Sequence, residues 1–290
     1  MKIAVIGAGK MGVWFARFFI KQGYSVVLAS RNKAKLSKLG INLGIETTGL
    51  IEAVQKADKI LICVSIGAFE EVVKRIGPII REDQVVMDIC SIKDFPVQVM
   101  HTHIKSGLVL GTHPVFGPGS KGVKNKTFVL TPISDKEKEY AKTLKEWLQE
   151  KEARVFIMPP KKHDQLMSVV LGLPHFIGLV AGDTLLAQPD FAKSKSVAGT
   201  TYRMLFTLAE ATMLENPELC SSLQLNLPEI QKIENLFVEK AREWLTVIQR
   251  KDSSAIIKKM ELLKKKLADK SPDYAQSYEM MYKMLEASDN

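Results

Sequence analysis

The segment KIAVIGAGKMG, residues 2–12, decides the fold of the N-terminal part of the chain. Its apolar run at 2–6 is typical of a buried parallel strand, and a helical pattern follows at 13–23. The glycines between them have G-x-G-x-x-G spacing, which permits a tight turn, close approach of a pyrophosphate and packing of the helix on the strand. This context predicts a dinucleotide site formed by Gly7, Ala8, Gly9, Lys10, Met11 and Gly12.

Strand-like and helical segments alternate as far as residue 158. Further strands are predicted at 25–30, 59–64, 84–89, 107–111, 127–132 and 153–158, with helices near 49–57, 67–80, 94–105 and 135–150. This alternation predicts an α/β fold, a Rossmann-type doubly wound and mostly parallel sheet. The segment PPKK at 159–162 ends the pattern, and 163–188, 192–216, 228–250 and 252–286 look helical. We therefore expect a dinucleotide-binding domain over 1–160 and an all-helical domain over 161–290.

The composition indicates a cytoplasmic protein. The 290 residues are 46% apolar, and no uninterrupted apolar run reaches the length of a membrane span. Cys63, Cys90 and Cys220 are too widely spaced for a disulfide framework or a metal cluster, so we expect free thiols and no metal site. The net charge is +9, and the lysines concentrate near the C-terminus at 256–270, a run typical of the solvated face of an amphipathic helix. No aromatic residues interleave with these lysines, so a nucleic-acid partner is not expected.

The second strand indicates which dinucleotide binds. An acidic residue that would bind the ribose 2′-hydroxyl of NAD is absent from residues 1–45, and Ser30, Arg31 and Asn32 stand where it would be. A guanidinium and a hydroxyl can hold a 2′-phosphate, which a carboxylate would repel. We predict that NADP is preferred, with NAD left open. The turn at Val64 and Ser65, after the strand at 59–64, is predicted to face the nicotinamide.

Two further strands deliver polar side chains to the ligand-binding edge of the sheet. Ser91 and Lys93 follow the strand at 84–89, and His113 follows the strand at 107–111. Ligands of open parallel sheets bind beyond the carboxyl ends of the strands. Histidine suits proton transfer because its pKa lies near working pH. We expect His113 and Ser91 to be catalytic and Lys93 to bind an anionic substrate.

The segments DICSIK (88–93), GTHPVFGP (111–118), HDQLMSVVLGLPHF (163–176) and YRMLFTLAEATMLENPEL (202–219) follow the glycine loop in this order. Together they resemble the prephenate dehydrogenase family of tyrosine biosynthesis, in its short archaeal and bacterial form. The resemblance implies oxidative decarboxylation of prephenate to 4-hydroxyphenylpyruvate, with hydride transfer to the nicotinamide. It implies that His113 is the base acting on the C4 hydroxyl and that Ser91 orients His113 or that hydroxyl.

The resemblance also assigns residues of the helical domain. His175 and Arg203 match substrate contacts, and we assign Arg203 to a carboxylate of the prephenate dianion because a guanidinium binds carboxylate with two parallel bonds. His163 and Asp164 match a His-Asp pair of the family at the start of the helical domain, and we interpret this pair as structural, with Asp164 near the helix N-terminus. The long apolar helices predict a homodimer through this domain. One departure from the family pattern is Ser65, which replaces a proline and leaves the rigidity of its turn in question.

Other functions stay open from the sequence. Arogenate dehydrogenase shares the fold and mechanism, although no acidic residue is recognisable that would bind the substrate ammonium. Another two-domain dehydrogenase would not explain the order of the four segments. A non-enzymatic redox sensor that binds NADP would have no need of His113.

Overall fold

The structure, a computed structural model, describes residues 1–287. It divides into two compact units, Met1–Met167 and a second unit that starts at Ser168. The first unit contains every strand of the described chain, and the described part of the second unit is helical. The division lies after Met167 rather than after residue 160, because His163 and Asp164 bond to residues of the first unit.

An eight-stranded sheet forms the centre of the first unit, in the order β3-β2-β1-β4-β5-β6-β7-β8. All neighbouring strands are parallel except β6 and β7, so the predicted doubly wound, mostly parallel architecture is confirmed. The strands are β1 (Lys2–Ile6), β2 (Ser25–Ala29), β3 (Glu46–Thr48), β4 (Lys59–Ile62), β5 (Val85–Asp88), β6 (Leu108–Pro114), β7 (Thr127–Thr131) and β8 (Arg154–Ile157).

Helices cover both faces of this sheet. One apolar core packs the sheet against α3, α4 and α5, and the other packs it against α1, α2 and α6. These helices are α1 (Lys10–Lys21), α2 (Lys33–Leu43), α3 (Leu50–Lys56), α4 (Ile66–Ile76), α5 (Asp94–His103) and α6 (Asp135–Gln149), and α7 (Pro160–Met167) follows β8. Neither β3 nor α2 was predicted from the sequence, because β3 has only three residues and α2 buries only Leu36 and Gly40.

Strand β6 is longer than its sequence pattern indicates. It continues through His113 to Pro114 because the antiparallel partner β7 pairs His113 with Val129 and Pro114 with Phe128. His113 therefore lies inside the last part of the strand rather than in a following loop. This placement fixes its backbone by pairing on the β7 side.

The second unit consists of helices α8 (Leu173–Leu186), α9 (Phe191–Ser196), α10 (Thr200–Leu214), α11 (Pro217–Asn226), α12 (Ile230–Gln249), α13 (Ser253–Lys270) and α14 (Ser277–Glu286), with a short 3₁₀ turn at Pro272–Gln276. Helices α8 and α10 pack closely because Gly178 and Gly182 stand against Thr212 and Met213. The predicted helix at 192–216 is two helices, interrupted before Gly199, which starts α10 as its N-terminal cap.

One helix is long and apolar enough to cross a membrane by length and composition alone. It runs over Pro160–Leu186 through a π-helical segment at Ser168–Gly172, and its most apolar window has a mean hydropathy of 1.7 with 17% of its residues buried. No membrane span was predicted from the sequence, in which no uninterrupted apolar run reaches the length of one. A single helix of this kind is weak evidence for a membrane span, because a helix in a protein core can have the same length and composition.

Candidate active site

The glycine loop between β1 and α1 has two glycines that no other residue can replace without strain. Gly7 has a φ of +120°, and a Cβ atom there would stand 2.3 Å from the Cys63 carbonyl oxygen. A Cβ atom on Gly12 would stand 1.9 Å from the Gly7 carbonyl oxygen. The Gly7 amide also donates to the Ala29 carbonyl of β2 at 2.8 Å. These contacts hold the loop tightly between β1, β2 and β4.

Gly9 differs from its two neighbours because the space above it is open. Its φ of −71° and ψ of 178° are ordinary extended values, and a Cβ atom there would meet no protein atom within 4 Å. Gly9 caps the N-terminus of α1, whose first turn carries no acidic residue. A helix N-terminus presents free N–H donors and a partial positive charge to an anion. The loop therefore fits the pyrophosphate of a dinucleotide.

The residues that were predicted to bind the ribose of the cofactor, or a phosphate on it, follow the end of β2. Ser30 is half-buried, and Arg31 is exposed with no ion pair among residues 1–287. The Asn32 side-chain oxygen accepts a bond from the Lys35 amide at 2.9 Å and so caps α2. Asn32 therefore has a structural role that the sequence analysis did not assign, and its amide nitrogen is the part left for a cofactor.

The turn after β4 stays rigid without the proline. Ser65 has a φ of −63° and a ψ of 154°, which is close to the φ that a proline ring imposes. Its carbonyl accepts the Ala68 amide at 3.0 Å at the start of α4, and the preceding Cys63 amide donates to Ile6 at 2.7 Å. The substitution that the sequence analysis singled out therefore leaves a proline-like backbone. Val64 is half-buried beside the glycine loop and contacts the position of a Gly7 Cβ.

His113 is buried on β6, with 3% of its surface exposed. Its Nδ1 atom lies 2.8 Å from Nε2 of His163. Burial lowers the pKa of His113 well below its usual 6.5, and the nearby His163 and Lys93 lower it further. The ring is therefore neutral at physiological pH and able to accept a proton.

Ser91 shares the edge of the sheet with His113 but is not its hydrogen-bond partner in the described chain. The parallel pairing of β5 with β6 ends at Asp88 and Gly111. Ser91 follows Asp88 and His113 follows Gly111 along the chain, so both lie at the same edge of the sheet. Ser91 is half-buried. The ring atom that lies within hydrogen-bond distance of His113 belongs to His163.

His163 and Asp164 form the part of the site that the sequence analysis underestimated. The His163 Nδ1 atom lies 2.7 Å from the Asp164 carboxylate. That carboxylate accepts the backbone amides of Lys93 at 2.7 Å and Asp94 at 2.9 Å. It therefore caps the N-terminus of α5, not of its own helix α7 as expected. The sequence signals for this pair were an adjacent histidine and aspartate and their match to a His-Asp pair of the family that the chain resembles.

The position of Lys93 contradicts its predicted role. The sequence predicted that Lys93 binds an anionic substrate, but its side chain is fully buried. Its ammonium bonds to the Asp88 carboxylate and donates to the Thr112 carbonyl, the latter at 2.7 Å. A buried charge needs such partners because desolvation is costly. Lys93 thus joins β5 to β6 next to His113 and is not available to a substrate.

The second unit holds the other predicted substrate contacts. His175 on α8 is half-buried and donates from Nδ1 to the Leu171 carbonyl at 2.7 Å, which leaves Nε2 as its free ring atom. Arg203 is half-buried in the first turn of α10.

The packing of α8 against α10 places His175 and Arg203 far apart within one chain. Gly178 stands against Thr212, whereas Gly182, later in α8, stands against Met213 and the earlier Ala209, so the two helices run antiparallel. This register puts His175 beside the end of α10 and Arg203 beside the end of α8. At 1.5 Å of rise per residue the separation is roughly 20 Å. The structure does not bring the two residues together in one chain.

Within residues 1–287, no cluster of three or more His, Cys, Asp or Glu residues could hold a metal ion. Cys63, Cys90 and Cys220 are free thiols in this structure, and Cys90 and Cys220 are buried. Burial raises the pKa of the Cys90 thiol well above its usual value, and the Asp88 carboxylate raises it further. Cys90 is therefore a packing residue and not a nucleophile.

Comparison with known proteins gives matches over most of the chain. Residues 15–157 match the family described as prephenate dehydrogenase, nucleotide-binding domain, and residues 159–262 match prephenate dehydrogenase, dimerization domain. A probable arogenate/prephenate dehydrogenase of Methanocaldococcus jannaschii is 33% identical over 267 residues. The alignment covers 90% of this chain and 60% of the relative, so this chain spans less than two thirds of the relative's length.

Two solved structures share the fold over nearly the full chain. Prephenate dehydrogenase from Aquifex aeolicus, in complex with hydroxyphenyl propionate and NAD+, has a TM-score of 0.76 at 24% identity and covers 93% of this chain and 98% of its own. Synechocystis arogenate dehydrogenase has a TM-score of 0.71 at 20% identity, and the match covers 94% of this chain and 99% of the arogenate dehydrogenase chain.

Proposed function

The chain belongs to the prephenate dehydrogenase family, and from this premise we propose that it oxidises and decarboxylates prephenate to 4-hydroxyphenylpyruvate. The observation that carries the proposal is His113, a buried and neutral imidazole at the edge of the sheet where the glycine loop also lies. A non-enzymatic sensor would gain nothing from holding a neutral base at this place. The three unpaired cysteines fit the reducing cytoplasm.

The reaction requires one proton acceptor. Nε2 of His113 accepts the proton of the C4 hydroxyl while the C4 hydrogen departs as hydride, and a carbonyl forms at C4. The bond from C1 to its carboxylate then breaks, CO₂ leaves, and the electron pair enters the ring and passes to the C4 oxygen. His113 returns the proton to that oxygen, which gives the phenol. A bound nicotinamide supplies the hydride acceptor. Holding the base within hydrogen-bond reach is what pairing with β7 and bonding to His163 contribute.

We assign cofactor binding to the glycine loop and to the end of β2, with NADP preferred. The open space above Gly9 at the N-terminus of α1 admits the pyrophosphate. Arg31 and Ser30 receive the 2′-phosphate, and Val64 and Ser65 border the nicotinamide. The absence of an acidic residue from positions 1–45 supports this preference, and NAD binds more weakly without the phosphate contact.

We assign substrate binding to His175 and Arg203, and the enzyme to a homodimer. Arg203 pairs with a carboxylate of the prephenate dianion, and His175 hydrogen-bonds through Nε2. A single-ring substrate cannot span the distance between them in one chain, so one of the two comes from a second copy. Exposed apolar side chains on the long helix support that pairing, among them Val169, Val170, Leu179 and Val180.

The experiment that tests the function compares four reactions of the purified protein, prephenate or arogenate with NADP or NAD. Formation of reduced nicotinamide and release of CO₂ are both followed. We expect kcat/KM to be highest for prephenate with NADP. A higher kcat/KM for arogenate would make arogenate, the amino analogue, the preferred substrate. The M. jannaschii relative and the Synechocystis enzyme are both named as acting on arogenate. No turnover with either substrate would remove the enzyme assignment and leave fold and cofactor site standing.

A further inference from the structure

A continuous hydrogen-bond chain runs from His113 through His163 to Asp164. We propose that His163 and Asp164 are positioning residues that lock His113 in the tautomer with hydrogen on Nδ1, so that Nε2 is always the free base. The inference rests on the proposed function only in naming His113 as that base. The two contacts, 2.8 Å and 2.7 Å, lie within one compact unit.

The direction of each bond follows from counting protons. The Asp164 carboxylate accepts two backbone amides at the start of α5, so it acts as an acceptor towards His163 as well. Nδ1 of His163 therefore donates to Asp164. Burial lowers the pKa of His163, despite the Asp164 carboxylate that raises it, so the ring is neutral and carries one proton. Its Nε2 atom is consequently an acceptor.

The same count applies to His113. Its Nδ1 atom faces an acceptor, so Nδ1 carries the hydrogen and donates to His163. The neutral ring has one proton, which leaves a lone pair on Nε2. Without the chain the ring could carry its proton on either nitrogen, and the Nε2–H form cannot accept the hydroxyl proton.

The surroundings make this arrangement hold both before and after proton uptake. The buried Lys93 ammonium disfavours a charged His113, and Asp88 pairs with that ammonium. When His113 takes up a proton, the positive ring donates to His163, which Asp164 supports from the other side. A hydrogen bond from a charged donor is stronger than one from a neutral donor. The chain thus stabilises the imidazolium that the reaction forms.

A merely structural role is the competing explanation, because Asp164 also ties α7 to α5. Direct observation of the tautomer separates the two. The chain has 5 histidines, so protein labelled with ¹⁵N-histidine gives a resolvable set of ring signals at neutral pH. We expect His113 and His163 each to show a protonated Nδ1 and an unprotonated Nε2. A His113 protonated on Nε2 in the wild type would overturn the proposal. This readout does not depend on turnover, so it stands apart from the proposed function.

Variants supply the second arm. In His163→Ala the His113 signals should shift towards the Nε2–H form, and kcat should fall by at least about tenfold while the cofactor KM stays within twofold. Asp164→Asn should move the tautomer in the same direction. Met167→Ala, on the same helix and buried at 5% exposure, is the matched packing control. It should lower the melting temperature without changing the His113 tautomer. Equal losses of kcat in His163→Ala and Met167→Ala, with the tautomer unchanged in both, would show that the pair only supports packing.

Discussion

Two alanine substitutions in the glycine loop should separate its structural role from its binding role. Gly12→Ala places a Cβ atom 1.9 Å from the Gly7 carbonyl oxygen, so the loop must move by roughly 1.5 Å to restore ordinary contact. Gly7 cannot retreat, because it already stands against the Cys63 carbonyl. Overpacking costs about 1–3 kcal/mol, and the higher helix propensity of alanine offsets about 1 kcal/mol of it.

The offset leaves a net loss of about 0–2 kcal/mol, and we expect a value near 2 kcal/mol for Gly12→Ala because the obstructing atoms belong to the backbone. For a unit of this size such a loss lowers the melting temperature by roughly 4–8 °C. Gly9→Ala meets no protein atom within 4 Å, so its stability changes only through the weaker N-cap, by about 0.5–1 kcal/mol. Its methyl group instead occupies the space into which the pyrophosphate comes.

The binding cost of Gly9→Ala follows from the same overpacking range of about 1–3 kcal/mol, which corresponds to a cofactor Kd about 5- to 150-fold higher. Thermal melts without cofactor measure the stability of both variants, and calorimetric titration with NADP measures the Kd of Gly9→Ala. A wild-type Kd for NADP in Gly9→Ala would refute the placement of the pyrophosphate above Gly9. Equal melting temperatures in the two variants would refute the predicted difference in their packing.

Three further outcomes are expected. Arg31→Ala should reduce the NADP-over-NAD ratio of kcat/KM by about 10- to 100-fold, the value of a charged hydrogen bond of about 1.5–3 kcal/mol, and an unchanged ratio would remove Arg31 from the 2′-phosphate site. Ser65→Pro should raise the free energy of unfolding by about 0.4–1 kcal/mol in denaturant titrations, because its φ of −63° already suits proline; destabilisation would contradict this. The lowered pKa of His113 should keep kcat/KM constant as pH falls through 6.5, with the loss only well below that value. The free energy of unfolding should decrease below pH 6.5, because His113 then takes up a proton in the unfolded chain but not in the folded one. A loss of kcat/KM or of stability that is complete at or above pH 6.5 would contradict the lowered pKa of His113.

Local signals made most of the first unit predictable. The glycine spacing, the apolar strands and their alternation with helices gave the sheet and its ligand edge, because each depends on neighbours within a few residues. Short elements without apolar periodicity, such as β3 and α2, lacked that signal. The extension of β6 to His113 also escaped, since it depends on pairing with β7 across a long connection.

The site shows the same division. His113 could be found from its place after an apolar strand, but its partner His163 is fifty residues away in the sequence, and no local pattern joins them. Lys93 shows a different limit. The segment DICSIK contains both members of the Asp88–Lys93 pair, yet the sequence does not tell whether the lysine turns inwards to Asp88 or outwards to a substrate. Burial decided that question, and burial is a property of the whole fold.

The role of His113 as the base is tested most directly by the turnover of His113→Asn with prephenate and NADP, together with its affinity for NADP. Asparagine keeps a polar side chain on β6 but cannot take up a proton. We expect kcat to fall about 10²- to 10⁴-fold while the Kd for NADP stays within twofold of the wild-type value. Near-normal turnover in His113→Asn would contradict the assignment of His113 as the base.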